Sequence, residues 1–273
     1  VTAITARADT LGYVADVPVL REVHLEARVG EAIAVLGGNG AGKTALLHFI
    51  AGALSAKTGG VTVHGRLIAS ARDAMRAGVG LVVQDPDDQL LGATVREDVA
   101  LGPRNLRLDE GEVSTRVESA IATVGIAPLI DRDVESLSFG ERKRACLAGV
   151  LAMHPRVLLL DEPTAGLDPL AEIALCETLR GLAACGTTLV VATHAVDLVP
   201  RFATRVVLLG EKRILFDGAM SDLIAESALL ARASLRRPWP AQLWLESGAR
   251  VSNAPPPPLT MEEAVAWLTP LFS

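Results

Sequence analysis

Apolar positions fall along this chain in short runs whose period changes from one stretch to the next. Thr2–Ala8 and Leu20–Val29 alternate weakly between apolar and polar side chains, the pattern of antiparallel strands covered on one face. Ala32–Leu36 is continuously apolar, as a strand buried on both faces would be, and runs straight into a glycine-rich loop. Lys43–Ala51 then reads as a helix that stops at Gly52, and short strands are expected near Val61–His64 and Val79–Val83. From about Gln84 to Leu137 helical patterning dominates. Thr94-Val95-Arg96-Glu97 has the capping-box form, and a further helix begins at Asp109 and stops at Gly125. Strand and helix alternate again through Val157–Leu160, Pro169–Ala184, Thr187–Ala192, Ala195–Phe202 and Val206–Leu209. This order predicts an α/β fold, a parallel sheet wrapped by helices with a helical insertion before its later strands.

The pattern changes after about Glu226. Arg236–Pro240 and Ala254–Pro258 read as linker, the second in extended polyproline form. Thr260–Leu271 reads as a threonine-capped amphipathic helix with Met261, Ala264, Val265 and Leu268 on one face, docking on the domain or on a partner chain. The domain as a whole has no internal repeat.

Composition narrows the picture. The 273 residues suffice for one large α/β domain or a domain with an appendage, and half of them are hydrophobic. A mean hydropathy of +0.35 raises the question of a membrane span. Yet Ala32–Leu36, Leu147–Met153, Val157–Leu160 and Thr188–Ala192 are each interrupted by glycine, proline or charge well short of a span. A net charge of −6 argues against general nucleic-acid binding. Cys146, Cys176 and Cys185 form neither a CxxC pair nor an even set, so a disulfide framework or zinc site is not expected and a reducing cytosol fits. Val1–Asp9 has no basic flank followed by an apolar run, so no secretory leader is expected there.

Candidate chemistry begins at Gly37-Gly38-Asn39-Gly40-Ala41-Gly42-Lys43-Thr44, which matches G-x-x-x-x-G-K-[ST] between an apolar strand and a helix. Glycines there let backbone N–H groups turn inward around phosphate oxygens, and the helix aims its positive end at them. Lys43 can reach the β/γ-phosphates of ATP, and the Thr44 hydroxyl can ligate Mg²⁺. Val157–Leu160 carries Asp161 and Glu162 out at its carboxyl end, where open α/β sheets bind ligands. Asp161 is placed to hold Mg²⁺ through its water shell, and Glu162 to act as general base on the attacking water. The two motifs together identify a P-loop nucleotide hydrolase.

Leu137-Ser138-Phe139-Gly140-Glu141 opens a helix, Arg142–Met153, just ahead of the aspartate–glutamate strand. It resembles the LSGGQ signature of the ABC ATPase family, and the resemblance covers nearly all of residues 2–230. Phe139 and Glu141 depart from the family's glycine and glutamine. The resemblance implies a mixed sheet with an antiparallel β-subdomain and a helical subdomain. The ATPase domain would then span 1–230, its helical part about 85–155, with 231–273 as linker and terminal helix. It also implies two subunits meeting head to tail, as a homodimer or a heterodimer of paralogues, each signature (Ser138, Phe139, Gly140, Glu141) closing over the other's ATP. Gln84 takes the place of the Q-loop glutamine, at the Mg²⁺ and the attacking water. Asp168 belongs to a D-loop, Ala165-Gly166-Leu167-Asp168, and His194 matches the switch histidine at the γ-phosphate. Tyr13 stands where the family places an aromatic stacked on adenine; a packing role competes with that reading.

Gln84–Leu90 continuing through Thr94–Pro103 looks like the Q-helix region of energy-coupling-factor (ECF) transporters, and among these of the CbiO-type cobalt and nickel ATPases. Leu147–Met153 and Thr193–Pro200 point the same way. That resemblance implies an importer subunit on the cytoplasmic face of a membrane, peripheral, driven by ATP with Mg²⁺. Its partners would be an integral-membrane coupling protein and a substrate-binding membrane protein. Asp85, Asp87, Asp88, Glu97 and Asp98 form an acidic group beside Gln84, either a dock for the coupling protein's arginines or a solvated face. Histidines are scattered and cysteines unpaired, so selection of cobalt, nickel or a vitamin would lie in a partner.

Overall fold

A computed structural model describes residues 1–14, 16–247 and 257–269. Its strands are β1 (Thr2–Leu11), β2 (Leu20–Arg28), β3 (Ala32–Leu36), β4 (Gly59–Val63), β5 (Arg66–Ile68), β6 (Val79–Val82), β7 (Val157–Asp161), β8 (Thr188–Thr193), β9 (Arg205–Gly210) and β10 (Arg213–Ala219). The helices are α1 (Lys43–Ile50), α2 (Ala71–Arg76), α3 (Val95–Asn105), α4 (Glu110–Thr123), α5 (Phe139–Leu151), α6 (Pro169–Ala184), α7 (Met220–Ala225), α8 (Ser227–Arg232), α9 (Trp239–Glu246) and α10 (Met261–Leu268).

Six strands form a mixed sheet in the order β10-β9-β3-β8-β7-β6, parallel throughout except for the antiparallel edge strand β10. The other four form an antiparallel sheet, β2-β1-β4-β5. Continuous apolar runs are what a strand buried on both faces requires, and alternate residues here serve two different cores. Ile33, Val35, Val157 and Leu159 face α1 and the antiparallel sheet. Ala34, Leu36, Leu158 and Leu160 face α5, α6 and the carboxyl-terminal helices. Arg205 joins the two sheets, donating to Asp217 at 2.7 and 2.8 Å, to Glu31 at 3.1 Å and to the Glu26 carbonyl at 2.9 Å.

The helical lobe is α3, α4 and α5. Each starts on a side-chain cap, from Thr94, Asp109 and Ser138, and the capping boxes of Thr94 with Glu97 and Ser138 with Glu141 are complete. Helix α5 therefore begins three residues before the expected Arg142. Strand β6 meets α5 through Gly80: a β-carbon there would lie 2.3 Å from Val150 Cγ1.

Two expectations for the carboxyl-terminal stretch are corrected. Arg236–Pro240 does not pass as an unpacked linker, because Trp239 and Pro240 open α9, whose Pro240, Ala241 and Trp244 are buried. Proline is well tolerated in a first helical turn, where its missing N–H has no acceptor to lose. A breaker signal and a start signal look alike in sequence. In α10 the Thr260 cap is present, but Met261 and Val265 are exposed while Ala264 is buried. The polyproline residues before Pro257, and Leu271, lie outside the described residues.

A substitution tests the contact between sheet and helical lobe. Gly80→Ala forces β6 and α5 apart and is expected to lower stability by about 1–3 kcal/mol, as overpacking does. Urea denaturation measures it, and an unchanged midpoint would mean that α5 retreats without cost.

Candidate functional site

Strand β3 ends at Leu36 and the chain turns through Gly37–Gly42 into α1. Gly40 and Gly42 have φ of 77° and 101°, a region that side chains disfavour, and a β-carbon on Gly42 would strike Leu20 at 2.7 Å. Unlike α3, α4, α5 and α6, helix α1 has no side-chain cap. Its first N–H groups have no side chain to satisfy them and are directed at the loop, a donor array suited to an anion.

Lys43 is 7% exposed. Its ammonium donates to the Gly37 carbonyl at 2.8 Å and the Gly38 carbonyl at 3.3 Å, and pairs with Glu162 Oε1 at 3.1 Å. Thr44 donates its hydroxyl to Asp161 Oδ2 at 2.6 Å. The other carboxylate oxygen, Asp161 Oδ1, is buried without a hydrogen-bond partner. Burial raises the Asp161 pKa from its ordinary value of 3.8, and the neighbouring Glu162 charge adds to the shift against the Thr44 hydrogen bond.

Glu162 follows β7 with φ 45°, in the left-handed region, and its N–H donates to the Ala192 carbonyl of β8 at 2.9 Å. Its carboxylate also meets His194: Nδ1 lies 2.9 Å from Oε1, and the His194 backbone N–H donates to Oε2 at 3.4 Å. Lysine, glutamate and histidine therefore converge from three separate loops at the carboxyl ends of β3, β7 and β8.

A cavity of about 450 Å³ opens over these groups, lined by Tyr13, Val19, Asn39 to Ala45, Gln84, Asp161, Glu162 and His194. The expected phosphate loop, both acidic residues, Gln84 and His194 thus share one space. Tyr13 lies at its edge, 57% exposed, with its ring edge-on to His48 and its hydroxyl 2.9 Å from His48 Nδ1. Partial burial, then the Asp161 charge, raises the Tyr13 pKa.

The signature residues are not in this cavity. Ser138 caps α5, and Glu141 accepts from the Ser138 N–H at 2.7 Å, a bond that holds the Glu141 pKa below the usual range. Phe139 lines an adjoining cleft with Thr44, Gln84 and Asp161, and its ring rests on Gly166. Asp168 caps α6 by accepting from Leu170 and Ala171 at 3.0 Å each. The acidic group beside Gln84 is smaller than expected. Asp98 is buried and accepts from the Leu91 and Gly92 N–H groups, which removes it from any docking surface.

Two contacts had no counterpart among the expected residues. Lys143, buried in α5, donates to the Glu162 carbonyl at 2.6 Å. A lysine on the same helical face as Leu147 and Val150 was the available signal. The Gly38 N–H donates to the Ala233 carbonyl, just beyond α8, at 2.9 Å, and nothing local in sequence marks that pairing.

Comparison with known proteins gives the family. A family profile described as ABC transporter matches residues 20–165. The cobalt import ATP-binding protein CbiO of Rhodobacter capsulatus is 44% identical over 238 residues, covering 86% of this chain and 85% of that one. The energy-coupling factor transporter ATP-binding protein EcfA of Methanothermobacter thermautotrophicus is 39% identical over 243 residues, covering 88% and 78%. Among solved structures, cbiO1 from Clostridium perfringens, part of the ABC transporter complex cbiONQ, superposes with TM-score 0.74 at 35% identity over 84% of this chain and 93% of that one.

The raised Asp161 pKa carries a pH signature. The folded protein keeps this proton at pH values where the unfolded chain has lost it, so stability falls as pH rises from 3.8 through the raised value. Asp161→Asn removes that fall. Melting temperature against pH, in nucleotide-free protein, should show a flatter profile for the variant.

Proposed function

We propose, from the premise that this chain belongs to the ABC transporter family of ATP-binding proteins, that it energises an ECF-type importer of cobalt or nickel ions. As a member of that family it is an ATP-hydrolysing transport ATPase, and the proposal concerns residues, partners and cargo. The observation that carries its hydrolytic part is the buried Glu162 carboxylate, held between Lys43 and His194 and beside the unpartnered oxygen of Asp161, whereas the cargo rests on the likeness to the relative named for cobalt import.

ATP enters with its phosphates on the N–H groups of the loop and of α1. Lys43 is drawn to the β/γ-phosphates, which compete with Glu162 for its ammonium. Glu162, released from that pair, takes a proton from the attacking water, and His194 orients the carboxylate and faces the γ-phosphate. Thr44, Asp161 and Gln84 fit Mg²⁺: all offer oxygen, and Asp161 Oδ1 has no other partner. When bound, Mg²⁺ would neutralise charge developing on the β- and γ-phosphate oxygens. Tyr13 flanks the base end of the nucleotide.

Ser138, Phe139, Gly140 and Glu141 sit outside their own phosphate cavity, which suits a second ATPase subunit whose nucleotide they would cover. Asp168 would adjoin the same junction. No described helix is long and apolar enough to cross a membrane. The relatives named as transporter ATP-binding proteins, and the solved structure described as part of a transporter complex, support integral-membrane partners with this chain peripheral at the cytoplasmic face. The relative named for cobalt import supports the metal cargo. Relatives named only as energy-coupling-factor proteins support a second reading, an ECF importer of another substrate such as a vitamin. Among the described residues no group of three or more His, Cys, Asp or Glu side chains is arranged to hold a metal, which supports cargo selection in a partner.

Two variants and one purification test this. Glu162→Gln is expected to bind ATP but to hydrolyse it roughly 10²–10⁴-fold more slowly, and turnover at the wild-type rate would refute the base. Lys43→Ala is expected to weaken ATP binding by roughly tenfold or more, read by titration with a fluorescent nucleotide. Purification from native membranes should bring down a small integral coupling protein and metal-stimulated ATPase activity. A complex stimulated by a vitamin instead would select the second reading.

A further inference from the structure

Lys143 is a buried lysine with no carboxylate partner. It is 7% exposed, and no ion pair joins it to any described acidic side chain. Removing an ammonium from water is costly, and burial lowers its pKa from the ordinary 10.5. A methionine or leucine would fill the same volume without that penalty. The side chain is nevertheless directed at one atom, the carbonyl oxygen of Glu162, at 2.6 Å. That oxygen also accepts from the Ala165 N–H at 3.2 Å.

The ammonium also lies over an aromatic ring. Phe139, one helical turn earlier on α5, places its ring centroid 5.3 Å from the Lys143 ammonium, within cation–π range. Packing against Gly166 fixes the ring in turn, since a β-carbon on Gly166 would lie 2.7 Å from Phe139 Cε1. Phe139 is the signature residue that departs from the family's glycine, and here its ring faces the ammonium.

The bond falls on a residue whose backbone needs support. Glu162 has φ 45°, which is disfavoured for any residue with a β-carbon and persists only where neighbours over-determine it. Its N–H is held by β8 and its carboxylate by Lys43 and His194. Its carbonyl is held from the helical lobe.

We propose that Lys143 is a positioning residue for ATP hydrolysis: by gripping the Glu162 carbonyl it couples the placement of the signature helix α5 to the aim of the Glu162 carboxylate. Movement of α5 relative to the sheet stretches this bond and turns the peptide that carries the carboxylate. Full hydrolytic competence then depends on the helical lobe being docked. The proposal rests on Glu162 acting as the base, the reading given above.

The experiment compares Lys143→Met, Lys143→Arg and Glu162→Gln in the full-length chain. Steady-state ATPase assays supply kcat and KM. Fluorescent ATP binding in EDTA supplies affinity without turnover, and thermal unfolding reports the fold. Lys143→Met is expected to lower kcat roughly 10- to 100-fold, as a small misplacement of a catalytic group does, while ATP affinity stays within about twofold. Lys143→Arg, which retains a cationic donor, is expected to recover most of the rate. Lys143→Met at wild-type kcat overturns the proposal, as does an equal loss of kcat, ATP affinity and melting temperature in both lysine variants. If Lys143→Met does not fold, Lys143→Gln, polar but too short to reach the carbonyl, decides by the same readouts. Wild-type turnover in Glu162→Gln refutes the base itself, whereas a silent Glu162→Gln beside a fully active Lys143→Met refutes only the coupling.

Discussion

The Lys43–Glu162 ion pair is the contact around which the rest of the molecule is arranged. Both side chains are under a tenth exposed, and a buried pair is stable only when the remaining donors and acceptors are also met. Here they are met by distant parts of the chain: Gly37 and Gly38 carbonyls for the lysine, His194 for the glutamate. Glu162 directly follows buried β7, Lys43 opens α1 at the end of the loop that leaves buried β3, and the parallel order of β3, β8 and β7 brings those strand ends together. The sheet thus concentrates opposite charges at one edge, while the apolar alternation beneath them keeps that edge rigid.

Much of this was legible in the chain itself. The phosphate loop, the strand bearing Asp161 and Glu162, and the helix starts at Thr94 and Asp109 are local signals, because each depends on a few consecutive residues with one physical task. Helix Pro169–Ala184 and strand Ala32–Leu36 were expected with the bounds that they have. Long-range features were not legible. Asp98 reads as one more surface acid until it bonds the Leu91 and Gly92 amides, and Lys143 reads as solvated charge until it meets the Glu162 carbonyl. Trp239–Glu246 was obscured by prolines that serve to start a helix. Arg66–Ile68 is too short to stand out from a turn, and Arg213–Ala219 is an edge strand with no fully buried residue and so no marked alternation.

Two layers of burial separate what is general in this fold from what is particular to this chain. The α1 face with the antiparallel sheet shapes the nucleotide cavity. The opposite face, packed by α5 and α6, carries Phe139, Lys143 and the Asp168 cap towards the same strand ends from the other side. Asp161 and Glu162 lie where the two layers meet.

The bond from the Gly38 N–H to the Ala233 carbonyl bears on where the working unit of this protein stops. Bidentate contacts of Arg232 with Glu211, at 2.8 and 2.7 Å, anchor the same short segment to the turn between β9 and β10. The boundary at residue 230 that the family resemblance implies would cut away the acceptor for an amide in the phosphate loop. Any minimal catalytic fragment should therefore retain the chain through Ser234, and the segment from Met220 to Ser234 is better regarded as the back wall of the nucleotide loop than as an appendage.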